Sequence, residues 1–184
     1  MKSCRGAWEE MTLLTEEKSV RDYTQTIDMQ NYLVETEMFP QDVLEAYSSY
    51  NLENPIPDSH RHYFNEARGG KQGDYRQGMK AKIKNVTECL KEFPKSKRAL
   101  ITICNNPSPS HHSDDDAKCM REIHFYIEGG KLCASVLFRA QAAQIFPKNI
   151  HFIGSLMSEL KEQLDLSGLG TLFYHTSVLV SDRA

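Results

Sequence analysis

The sequence is short of several things. Nowhere in its 184 residues does an apolar run approach the ~18 residues of a membrane-spanning helix. Glu9 and Glu10 fall where a secretory leader would carry its apolar stretch. The chain therefore reads as soluble and cytoplasmic, with no membrane partner. A positive charge excess is also missing: 22 Lys+Arg against 25 Asp+Glu leave a formal charge of -3. That balance provides no general basic field for a nucleic acid, although a local cationic cluster could still hold one small phosphate. The five cysteines (Cys4, Cys89, Cys104, Cys119 and Cys133) are odd in number and have no CxxC spacing. Neither a disulfide framework nor a zinc site is indicated, and most of these thiols are expected to pack as small hydrophobes. No internal repeat is present. At this length, with 40% hydrophobic residues, one core is the expectation, and residues 1–184 are read as a single domain.

What is there is organised unevenly. Residues 1–35 are polar and acidic, and the pattern Asp28 to Val34 predicts a short amphipathic helix. From Tyr47 to Gly78 two prolines, four glycines and many charges interrupt any period, and the stretch is predicted as loop. Ile83, Val86, Leu90 and Phe93 then recur at three- and four-residue steps, which predicts an amphipathic helix from Met79 to Phe93, closed by Pro94. Ala99 to Cys104 is a β-branched, apolar run suited to a buried strand. Glu122–Ile127 and Lys131–Phe138 flank Gly129-Gly130 as a hairpin should. Asn149 to Leu164 carries Ile150, Ile153, Met157, Leu160 and Leu164 on one helical face, and Thr171 to Tyr174 reads as a further strand. Strands with one long helix packed on them make the fold class α+β.

Within residues 94–174 the landmarks resemble those of a known family. Cys119-Met120-Arg121-Glu122-Ile123-His124-Phe125-Tyr126-Ile127-Glu128-Gly129-Gly130-Lys131-Leu132 is similar to the thymidylate synthase stretch in which a reactive cysteine opens a strand ahead of a Gly-Lys-Leu turn. Arg139 falls where that family, which includes the pyrimidine nucleotide hydroxymethylases, has its phosphate-clamping arginine. Phe146-Pro147-Lys148-Asn149-Ile150 resembles the Pro-Phe-Asn-Ile motif, and Pro94-Lys95-Ser96-Lys97-Arg98 resembles Pro-Asp-Ser-Arg-Arg, whose paired arginines reach the partner subunit's nucleotide.

The resemblance implies a mixed-sheet thymidylate synthase-like fold and a homodimer. It also implies transfer of a one-carbon unit to C5 of a pyrimidine nucleoside monophosphate, by methylation or hydroxymethylation, with 5,10-methylenetetrahydrofolate as donor. Pyrimidine C5 becomes nucleophilic once a thiolate adds to C6, and Cys119 is the candidate nucleophile. Taken alone, a cysteine at a loop–strand junction is usually packing. Arg139, Arg98 and Lys97 would bind the phosphate; lysine at 97 keeps the charge but loses the bidentate fork. Asn149 would read the base and favours uracil; it also suits the cap of a helix beginning at Ile150, and the two roles are compatible. His124, where the family has glutamine, is a candidate for the nucleotide pocket or a structural strand residue. The loop Ser110 to Asp116 is read as solvated polar chain in preference to a metal site.

The departures lie on one side. Ala140 and Ala142 stand where the family has a phosphate-binding serine and a folate-associated aspartate, and Ser177 to Ser181 replaces a sugar-holding His-x-Tyr pair. Gly73-Asp74-Tyr75-Arg76-Gln77 is a faint echo of the family's Tyr-Gly-x-Gln, and the chain ends at Ala184 before the family's closing segment. These losses suit a second expectation, a relative that binds a nucleotide or a protein partner without chemistry.

Overall fold

The computed structural model describes residues 1–65, 68, 74–103, 108, 110, 112 and 117–182. In chain order these form β1 (Lys2–Ser3), α1 (Cys4–Leu14), β2 (Val20–Asp28) and α2 (Gln41–Asn51). A 3-10 turn (Asp58–Tyr63), α3 (Met79–Glu92), β3 (Leu100–Thr102), β4 (Met120–Glu128) and β5 (Lys131–Phe138) follow. The chain continues through β6 (Gln141–Ala142), a second 3-10 turn (Ala143–Ile145), α4 (Phe146–Gln163) and β7 (Gly168–Val180).

The strands make one mixed sheet in the order β1-β2-β7-β5-β4-β3, with β6 pairing the far end of β7. Gly129 and Gly130, at φ 58° and 74°, supply the two left-handed positions that a two-residue β4–β5 turn requires. The antiparallel ladder then sets Ile123 against Val136 and Phe125 against Ala134. Parallel pairing sets Val136 beside Tyr174. Because side chains alternate along a strand, Ile123, Phe125, Ala134, Val136, Phe138, Leu172 and Tyr174 line one face, and all are buried. Helix α4 packs on that face against β5 and β7, and α1, α2 and α3 each pack on α4. Gly154 lets the α4 backbone approach the Tyr32 ring, which would occupy the position of an added Cβ.

The opposite face has no helix among the described residues. Leu100 and Phe173 stand on it, 42% and 45% exposed.

Helix α3 and the hairpin occur where periodicity predicts them, and β3 is a shortened form of its predicted strand; Cys104 lies outside the described residues. Other elements differ. No helix forms over residues 28–34. Met29 N–H instead donates to the Gly170 carbonyl at 3.0 Å. Asp28 and Asn31 carboxyl and amide oxygens accept from Gln30 N and Leu33 N at 3.0 and 3.2 Å, local turns that compete with a helix. Helix α2 enters the segment predicted as loop and runs to Asn51. Its buried face includes Ser48 and Asn51 beside Val43, Leu44 and Tyr47, so the apolar period is broken by polar groups whose partners come from elsewhere in the fold. Helix α1 and strand β2 also arise within residues read only as polar and acidic. Strand β7 is longer than the predicted Thr171 to Tyr174 and runs from Gly168 to Val180.

Candidate functional site

The open ends of β4 and β5 bring the first two candidates together. Beyond the Met120–Phe138 pair, Arg139 N–H donates to the Cys119 carbonyl at 2.8 Å. The Arg139 Nε donates to the Ala117 carbonyl at 2.6 Å, which ties the segment leading into Cys119 to the same arginine. Both side chains are half-buried. A bulge lies next to them: Met120 faces Phe138 while Glu122 faces Leu137, so β4 carries one extra residue at Arg121. Bulges re-aim the side chains beside them.

Three buried tyrosines surround this corner. Tyr75 is 2% exposed, stacks on Phe152 at 5.7 Å between ring centres, and its hydroxyl oxygen accepts from Met120 N–H. Burial raises the Tyr75 phenol, and the Cys119 thiol adds to the effect. Tyr47 and Tyr174 are likewise raised, chiefly by burial, with Tyr75 and Cys119 contributing to both. All three phenols therefore stay protonated at neutral pH. The amide of Asn51 holds this arrangement from α2, donating to the Tyr47 carbonyl at 3.0 Å and accepting from Tyr75 N–H at 2.6 Å.

A buried amide network forms the floor. Gln141 Oε1 accepts from Asn149 Nδ2 at 2.9 Å and from the Tyr174 hydroxyl at 2.7 Å. Gln141 Nε2 donates to the Ala142 carbonyl at 2.6 Å. Asn149 is 5% exposed and sits inside the first turn of α4, which begins at Phe146 with Pro147 in its opening positions. The helix N-cap is Ile145 and lacks a side-chain hydrogen bond, so the capping role expected of Asn149 does not occur. Next to it, Lys148 is 3% exposed. Its Nζ donates to the Arg68 carbonyl at 2.9 Å and lies 4.5 Å from the Tyr47 ring centre. The cation–π geometry replaces water lost on burial.

Comparison with known proteins fits this layout at the level of fold. No protein-family model matches the sequence, and no curated protein matches it. Among solved structures, thymidylate synthase from T4 phage superposes with a TM-score of 0.62 over 87% of this chain, at 14% sequence identity. The fold is thymidylate synthase-like. At that identity the likeness establishes the fold alone, and the chain spans 66% of the phage enzyme's length.

On the thymidylate synthase-like fold the remaining candidates go elsewhere. His124 alternates with Ile123 and Phe125 and pairs across the sheet with Leu100 and Ser135, so it stands on the helix-free face, away from Asn149. Its Nε2 is buried and has no hydrogen-bond partner among the described residues. Lys97 and Arg98 are exposed between α3 and β3. Phe125 N–H donates to the Ala99 carbonyl, six residues along β4 from Cys119, which places Arg98 ~20 Å from the thiol along the strand. Within one chain they do not join Arg139. The polar loop from Ser110 to Asp116 lies almost wholly outside the described residues. Gln141, Tyr174, Tyr47 and Lys148 were not singled out by sequence; only the faint echo at Tyr75 gave a signal.

A cavity of about 370 Å³ opens beside Tyr47, walled by Tyr50, Phe64 and Ile56, with Asp74 and Arg76 at its polar edge. Asp74 accepts from the Tyr50 hydroxyl at 3.0 Å and Arg76 stacks 4.4 Å over the same ring.

Proposed function

We propose that this protein binds a pyrimidine nucleoside monophosphate, a uridine nucleotide by preference, and transfers a one-carbon unit to its C5 through a Cys119 adduct. The observation that supports the reading is the Arg139-to-Cys119 backbone hydrogen bond, which brings the candidate phosphate-binding and nucleophilic residues to the same end of the hairpin. A guanidinium next to a thiol favours the thiolate. Addition of the thiolate to C6 breaks the C5–C6 π bond and sends its electron pair to the C4 oxygen as an enolate. Buried N–H and O–H donors aimed at that oxygen stabilise it more than water would, and Asn149 and the Tyr75 phenol are the donors at hand. C5 would then bond to the one-carbon unit as that unit's bond to its carrier breaks, the C5 proton leaves to base, and expulsion of the Cys119 thiolate restores the C5–C6 double bond; water would complete a hydroxymethyl product and hydride from the reduced folate a methyl product.

The donor is 5,10-methylenetetrahydrofolate on this reading. The cavity beside Tyr47 suits a flat heterocycle in size and in its aromatic walls, and Tyr50, Phe64, Asp74 and Arg76 would hold it. When bound it supplies the one-carbon unit. Lys97 and Arg98, distant from Cys119 in their own chain, act on the partner's phosphate in a homodimer formed through the helix-free face, where Leu100 and Phe173 would be covered.

Release of tritium from C5-labelled dUMP, UMP, dCMP and CMP, with and without the folate, tests the reading. Cysteine-dependent release is expected, and equal release by Cys119→Ala would overturn it. A non-catalytic nucleotide-binding or partner-binding role is the second reading. The Arg139 Nε already committed to Ala117, and alanines at 140 and 142, favour it.

A further inference from the structure

We infer that Gln141 is the positioning residue that sets base selectivity, by locking the amide of Asn149 in one of its two orientations. This rests on the proposed nucleotide site and goes beyond it. A backbone carbonyl accepts hydrogen bonds and cannot donate them. The Gln141 amide atom 2.6 Å from the Ala142 carbonyl must therefore be Nε2. The other terminal atom, Oε1, faces Asn149 at 2.9 Å, and an acceptor there requires the Asn149 atom to be Nδ2. The Tyr174 hydroxyl donates to the same Oε1 at 2.7 Å. Rotating Asn149 by half a turn would set its Oδ1 against Gln141 Oε1. Rotating Gln141 as well would set its oxygen against the Ala142 carbonyl. Both turns oppose two acceptors in a buried site, where unmade hydrogen bonds are most costly.

The consequence concerns the two bases. Among the described residues, the Asn149 side chain makes this one hydrogen bond, so Oδ1 and the second Nδ2 hydrogen are left for a ligand. Uracil presents an N3–H donor and an O4 acceptor. Cytosine presents an N3 acceptor and an N4–H donor, the reverse order. One amide cannot serve both edges in the same ring pose without turning over, and Gln141 prevents the turn. Asparagine alone would tolerate either base; asparagine held by Gln141 takes uracil.

The test is calorimetric binding of dUMP, UMP, dCMP and CMP to the full chain and to Gln141→Met, which keeps volume and removes both ends of the lock. The unmutated protein is expected to prefer the uracil nucleotide by roughly tenfold or more, with Gln141→Met bringing the two bases near parity. Tyr174→Phe, which leaves the lock in place, is expected to keep the preference. Retained selectivity in Gln141→Met, or no selectivity in the unmutated protein, overturns the role of Gln141 and leaves nucleotide binding standing. Absence of any nucleotide binding overturns the site reading and this role with it. If Gln141→Met does not fold, solvent exchange of side-chain amide protons in the unmutated protein decides. Slow exchange at Gln141 and Asn149 supports the lock, and exchange at the rate of a free amide refutes it.

Discussion

Acidification should weaken this fold through one histidine. His151 of α4 is 7% exposed, its Nδ1 lies 2.7 Å from the Ser48 hydroxyl, and the Tyr32 ring stands edge-on at 5.4 Å. Burial pushes the imidazole down to about 4, against weaker upward pulls from the Glu45 carboxylate and the Leu44 carbonyl. In the unfolded chain the same ring titrates near ~6.5. The folded state therefore holds a neutral ring where the unfolded state takes up a proton. Stability is complete above about pH 7.5 and falls as pH drops through ~6.5, until the folded ring also protonates near 4. Linkage puts the loss at ~2 kcal/mol by about pH 5 and ~3 kcal/mol by about pH 4. For a domain of this length ~2 kcal/mol is roughly 4–8 °C in melting temperature. The assay is urea unfolding from pH 7.5 to pH 5 on the unmutated protein and on His151→Gln, which keeps a neutral polar group in place. The variant is expected to lose most of the pH slope. Parallel curves for the two proteins would refute a buried neutral His151.

Further outcomes follow from single contacts. Ser48→Ala removes the hydroxyl that meets His151 and should cost about 1–2 kcal/mol in denaturant unfolding, with no change in the unfolding slope on urea. Gly154→Ala drives a methyl into the Tyr32 ring and should destabilise by ~1–3 kcal/mol; pairing it with Tyr32→Ala should recover part of the loss, and additive losses would mean the contact is absent. Mixing Cys119→Ala with Arg98→Ala, each inactive alone, should restore partial C5 tritium release, because ~20 Å of strand separates the two groups in one chain. No recovery from a mixture that forms heterodimers would exclude action of Arg98 across the interface.

Sequence alone determined the parts whose signals are local. Gly129-Gly130 between two alternating runs dictates a hairpin because only such residues accept two successive positive φ angles cheaply. The three- and four-residue spacing of Ile83, Val86 and Leu90 dictates a one-faced helix, and that face is buried. The order of cysteine, arginine and asparagine landmarks pointed to the thymidylate synthase-like fold that superposition then bore out. Less was legible in the first 78 residues. There, α2 buries Ser48 and Asn51, and nothing in a local window tells a buried polar residue from a solvated one. Their partners, His151 and Tyr75, lie 103 and 24 residues away.

The site divides in the same way. That Cys119 and Arg139 lie within a residue of each other could be anticipated from the hairpin register, but counting from the turn sets Arg139 opposite Met120, and only the bulge at Arg121 brings it to Cys119. Which face each strand residue takes was decided only by the packed sheet: Ile123 and Phe125 claim the helical side for the core, and His124 is thereby sent to the other. The Gln141 lock was beyond any sequence pattern. It depends on β6 continuing past a break in β5 and on α4 starting three residues before Asn149, with a tyrosine from β7 adding a second bond to the same oxygen. Three segments distant in sequence converge on one amide oxygen, and only tertiary structure fixes how polar groups divide their hydrogen bonds inside a core.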